Sequence, residues 1–188
     1  MESPTYSKTY RTIHWLIAIC FTLVLITLFL RTTWLNKNVV GDIIENFLKE
    51  KNQTLSRDEI IILAKKIRKP MWDWHIYLGY ALVFLYFLRL LLPFWGEMKF
   101  KNPFHKELNC KTKFQFWVYL VFYVCIAISL VTGLIIELGP KNWKESTERI
   151  HELSIYYLLG FVILHLAGVF LAEFTNKQGI ISKIISGK

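Results

Sequence analysis

The residues best able to do chemistry in this chain are its histidines. Four of the five lie in or at the ends of apolar segments: His14, His75, His151 and His165. An ionisable side chain inside a membrane span is costly to hold there, so each such residue is a candidate site. His151 and His165 are fourteen residues apart in one apolar stretch. On one helix that is nearly four turns, which turns both rings to the same side, roughly 21 Å apart along the axis at about 1.5 Å per residue.

The segments that carry them define the fold. The chain has 188 residues, 54% of them hydrophobic. Apolar runs of membrane-spanning length cover residues 13–30, 76–94, 114–136 and 153–174. The expected fold is all-α: an integral membrane four-helix bundle, with spans at about 11–33, 72–95, 113–137 and 150–174. It is read as a single membrane domain over 1–188, with short extra helices in the connection between spans one and two. The first run is too long for a signal-peptide core and lacks a small-residue cleavage site, so it is expected to remain as a span. All seven tryptophans fall near span ends, as an interfacial aromatic belt does, and no further role is expected of them.

The net charge of +9 resides in the connections, where Lys and Arg meet lipid headgroups, and no nucleic-acid partner is expected. Cys20, Cys110 and Cys125 form no CxxC or CxxCH motif, which gives no support to covalent haem attachment or a thiolate cluster. In the first connection, helices are expected at about 41–50 and from Ser56, where Ser56 and Glu59 read as a capping box. Pro70 is expected to stop the second of these helices. The second connection, 96–113, is basic, and its His105 is read as solvated. The third, 138–149, opens on the turn signal Gly139-Pro140. The tail carries Ile180, Ile181, Ile184 and Ile185 at amphipathic spacing. The basic second connection and tail favour termini in the cytoplasm.

Span order then pairs the histidines. His14 starts span one and His75 starts span two on the opposite side. Span three carries none. His151 starts span four on the side of His75, and His165 lies toward the side of His14. Two pairs at equal depth result, His14 with His165 and His75 with His151. A neutral imidazole is a good ligand for haem iron, and bundles hold cofactors between facing helices. Two histidines per iron fill both axial positions, which suits electron transfer. A zinc site gathers three or four ligands around one ion and fits this pattern less well.

Supporting residues carry two readings each. Arg89, fourteen residues after His75, is a haem-propionate partner or a snorkelling cation. Arg11, one turn before His14, is a propionate partner or an interfacial anchor. Gly79 and Gly168 lie on the ligand faces, where they let a flat macrocycle approach or let helices pack closely. Gly160 and Gly133 are weaker cases of the same kind. No catalytic residue is assigned; Glu152 and Glu173, which flank span four, are the acids considered for proton transfer.

The segments RTIHW, DWHIYLGY, the late Arg of span two, TG in span three and HELSIYYLLGFVILH resemble the bacterial cytochrome b561 and nickel–iron hydrogenase b-type cytochrome family. The resemblance covers all four spans. It implies two non-covalent haem b groups held by the pairs above, transmembrane electron transfer with quinone as substrate, and a bacterial cytoplasmic (inner) membrane. It also implies that the chain works alone as a quinone-linked oxidoreductase, or as the membrane anchor of a hydrogenase, dehydrogenase or reductase with a redox partner subunit. A metal-ion carrier is the alternative from another class. The first connection is long for this family, and its extra helices are expected to form a docking surface or lid over the His75–His151 haem.

Overall fold

The computed structural model describes residues 6–96, 104, 109–175 and 179–187, and no strand occurs among them. Seven α-helices follow in order: α1 (Lys8–Thr32), α2 (Lys37–Glu50), α3 (Arg57–Leu91), α4 (Cys110–Leu138), α5 (Lys144–Glu152), α6 (Ser154–Phe174) and α7 (Ile180–Ile185). Short 3-10 turns cover Leu92–Trp95 and Lys141–Trp143. Four stretches are long and apolar enough to cross a membrane: Lys8–Thr32, Arg57–Trp95, Cys110–Leu138 and Lys141–Phe174. The protein is therefore all-α and has the four spans expected of a membrane bundle. His105 and most of the second connection lie outside the described residues.

The spans expose many large apolar side chains and bury several polar ones. Ile19, Leu23, Ile26 and Phe29 of α1 are exposed, as are Val121, Val124, Ile128 and Val131 of α4. Beside the apolar Phe21, Leu85 and Leu158, the spans bury the polar Thr27, Ser129 and Thr132, with Arg89 from α3 and Ser154 from α6. Lipid is as apolar as leucine, so small and polar side chains face inward to pack and hydrogen-bond between helices.

The chain forms two compact units, Ile17–Phe84 and Met1–Leu16 with Leu85–Lys188. In the first, α2 lies on the opening turns of α3. Val40 and Gly41 are buried on α2, and Ile60 and Ala64 on α3. A Cβ on Gly41 would meet the Ile60 side chain at 3.3 Å, so glycine permits the close approach. Arg57 reaches Asp42 at 2.8 Å and Glu45 at 3.1 Å. Lys49 also binds Glu45 at 2.8 Å, and that hydrogen bond holds the Glu45 carboxyl below its usual range.

Three features differ from the expectation. The capping box forms, with Glu59 accepting from the Ser56 backbone at 2.9 Å and its own N–H donating to the Ser56 hydroxyl at 3.3 Å. Yet α3 does not stop at Pro70 but runs through it. Proline removes one N–H and frees the carbonyl of Lys66, and Lys66 is exposed, where water can satisfy it. Second, α2 starts at Lys37, four residues early, because Asn36 caps it by accepting from Asn38 N–H at 2.9 Å. Third, the helix before His151 begins within the third connection, and the regular ladder of span four is interrupted for one residue at Leu153, between α5 and α6.

In the second unit α4 packs against α5 and α6, and α7 folds back on α6. Glu173 accepts from the N–H groups of Gly179 at 2.8 Å and Ile181 at 3.1 Å, which satisfies orphan donors at the start of α7. Glu173 thus has a structural task at the start of α7. The isoleucine-rich tail does form a helix, α7.

Candidate functional site

His151 and His165 do not share one unbroken helix. The His151 carbonyl takes a hydrogen bond from the Ser154 hydroxyl, and the Tyr156 N–H bonds back to the Leu153 carbonyl at 3.2 Å. Side-chain capture of a carbonyl competes with the regular ladder and breaks it there. His151 is the penultimate residue of α5, and the helical angles of Leu153 (φ −63°, ψ −18°) carry the chain on into α6.

Its ring sits on α4. His151 Nδ1 lies 3.0 Å from the Ser129 carbonyl and 3.1 Å from the Thr132 hydroxyl. A carbonyl only accepts, so Nδ1 carries the proton and Nε2 keeps its lone pair. A Cβ on Gly133 would come within 3.2 Å of His151 Cε1. Gly133 is therefore the floor of the ring's seat, a more specific role than general close packing.

His75, in the other unit, has a seat of the same design. The Thr27 hydroxyl donates to the Val24 carbonyl at 2.7 Å and lies 2.8 Å from His75 Nδ1, which it can pair with as acceptor while it keeps that bond. In that pairing Nε2 again keeps the lone pair that a metal needs. Trp72 stacks on the His75 ring at 4.4 Å with an interplanar angle of 6°. Six tryptophans are exposed, namely Trp15, Trp34, Trp74, Trp95, Trp117 and Trp143. Trp72 departs from the simple belt and orients a candidate ligand.

His14 and His165 come together. Their ring centroids are 6.2 Å apart. One ion bonded to an imidazole nitrogen on each side at about 2 Å would set such centroids about 6 Å apart. Phe161 lies nearly parallel to the His165 ring at 5.6 Å, and Tyr119 meets its edge at 6.4 Å. Phe122 stacks on Phe161 in turn, at 3.4 Å. Among the described residues, the buried Nδ1 of His165 has no hydrogen-bond partner.

Arg89 is buried, with 8% of its surface exposed, and its guanidinium lies 5.3 Å from the Tyr123 ring. A snorkelling arginine would reach outward, so burial disfavours that reading. Tyr123 is one turn from Tyr119 on α4, which ties Arg89 to the surroundings of His165. Arg11 donates to the Ile185 carbonyl at 3.1 Å and Trp15 to the Ile184 carbonyl at 3.1 Å, so both fasten the end of α7. Cβ atoms at Gly79, Gly160 and Gly168 would meet nothing within 4 Å. No cluster of three or more His, Cys, Asp or Glu side chains placed to hold a metal ion occurs among the described residues.

Sequence reasoning missed Thr27, Ser129, Thr132 and Ser154, which hold or redirect the histidines. The pair Thr132-Gly133, noted only as part of a resemblance, was the one visible signal of the His151 seat.

A family model described as prokaryotic cytochrome b561 matches residues 5–187. No curated protein sequence and no solved structure matches the chain.

Proposed function

The chain belongs to the prokaryotic cytochrome b561 family, and from that premise we propose that it moves electrons through two bis-histidine haems and exchanges them with quinone. Membership makes it a b-type haem electron-transfer protein of the membrane. Bound haem supplies a one-electron iron couple whose potential the axial ligands and their hydrogen bonds tune.

The observation that carries this reading is the 6.2 Å approach of the His14 and His165 rings, brought together from α1 and α6. Two imidazoles at that separation suit the two axial positions of one iron. The assignment of His75 and His151 to a second iron rests on span order in the sequence. It is supported by the hydrogen-bond partner each ring has at Nδ1, the support a metal-bound histidine needs on its other nitrogen. Arg89 provides a buried positive charge near His165, suited to a propionate. Gly79 and Gly168, four and three residues after His75 and His165, have open space where a Cβ would stand.

The test is spectroscopic and kinetic. Purified protein is expected to show a reduced-minus-oxidised b-type spectrum with two haems per chain, and to be reduced by a quinol in proteoliposomes. Reduction by a quinol restored only when a partner subunit is added would favour the membrane-anchor role over the stand-alone one. A colourless preparation would remove the haem reading altogether.

A further inference from the structure

In the unit formed by Ile17–Phe84 lies a cavity of about 220 Å³ lined by Arg31, Lys65, Arg68, Lys69, Met71 and Trp72. Four of the six lining side chains are cationic and none is acidic. Lys69 is neutralised by Asp73 at 2.8 Å. Among the described residues, no carboxylate lies within ion-pair distance of Arg31, Lys65 or Arg68. Like charges gathered in one recess repel unless an anion enters. We infer that this cavity binds the phosphate of an anionic phospholipid.

Three observations identify that occupant. The cavity lies where the last turns of α1 meet the middle of α3, beside Trp72 and the exposed Trp74, and tryptophans mark headgroup depth. Two guanidiniums offer the forked donors that phosphate oxygens accept in pairs. Basic pockets between spans take anionic headgroups by this chemistry. Met71 and Trp72 add an apolar wall for the glycerol end, which a free phosphate would leave unused.

The site is also connected to a histidine seat. Arg31 lies over the Trp72 ring at 3.9 Å, and Trp72 stacks on His75. Thr27, whose hydroxyl holds the same ring, precedes Arg31 by one turn of α1. An anion that anchors Arg31 therefore stiffens both supports of His75. The lipid site itself stands whichever histidines hold haem.

The experiment is native mass spectrometry of the haem-loaded protein released from nanodiscs containing equal phosphatidylglycerol and phosphatidylcholine. Wild type is expected to retain phosphatidylglycerol over phosphatidylcholine by about tenfold. The double substitution Arg31→Gln, Arg68→Gln should abolish that preference, and Lys65→Gln, on an exposed side chain, should reduce it with haem content unchanged. Equal retention of the two lipids by wild type, or an undiminished preference in both variants, overturns the proposal. So does retention of inorganic phosphate without lipid. Loss of haem from the double variant with its lipid preference intact would assign the cavity to a propionate instead, and would also overturn it. Because the readout is bound lipid, absence of electron transfer would sink the proposed function and leave this result standing.

Discussion

His151 sits among polar partners on α4, whereas His165, fourteen residues on, sits among rings. At His151 the Ser129 carbonyl fixes the tautomer and Gly133 fixes the ring's depth. At His165, Phe161 and Tyr119 fix the plane, and Nδ1 has no partner among the described residues. A proton shared from Nδ1 toward an acceptor makes Nε2 a stronger donor to iron and favours the oxidised metal. The two seats therefore predict two unequal potentials, lower for the iron at His151 than for the iron at His165. Unequal sites would give an electron a preferred direction, an outcome that two identical seats could not produce.

The largest expected effect comes from filling the floor of the hydrogen-bonded seat. Gly133→Val puts two methyl groups where a single Cβ already comes within 3.2 Å of His151. One of the two haems should be lost, and the remaining spectrum should be that of the higher-potential iron. Retention of both haems would show that the ring does not need this seat.

Thr27→Val comes next. It removes the hydroxyl that pairs with His75 while keeping the side-chain volume. Loss of such a supporting partner weakens a metal site by about 10- to 100-fold, and faster haem transfer to an apo-globin acceptor would register it. A transfer rate equal to that of wild type would place His75 outside the ligand set.

Thr132→Val should be milder, because the Ser129 carbonyl still accepts from His151. The lower of the two potentials should rise in a redox titration while the upper one stays. Movement of the upper potential instead would reverse the contrast drawn between the seats.

The smallest effect concerns the hairpin of α2 and α3. The depressed Glu45 pKa means that its ion pairs contribute above the unfolded carboxylate value and are lost as pH falls through the folded value. Hydrogen-exchange protection of α2 should drop on acidification through that window, and Glu45→Gln should abolish the dependence.

Hydropathy made the four spans legible, because apolar runs of this length have few other uses. The capping box at Ser56 was legible because it is local, with both partners within four residues. Pro70 misled because its cost depends on whether the freed carbonyl is wet, which a linear pattern does not record. The break at Leu153 was hidden for a related reason: a serine hydroxyl that competes with the ladder looks like any other serine. Thr27, Ser129 and Thr132 belong to neighbouring helices, and no periodicity links them to the rings they hold. Trp72 could have been suspected from its spacing, three residues before His75 and so adjacent on the helix. The histidines themselves stood out, since intramembrane imidazoles are rare. Their seats required the packing.

The central claim is that His14 and His165 are the axial pair of one haem among two. The most direct measurement is haem stoichiometry by pyridine haemochrome on wild type and on His165→Ala. The account predicts two haems per chain falling to one, with the lower-potential signal retained. Two haems in His165→Ala, or loss of the lower-potential signal in place of the upper, would contradict it.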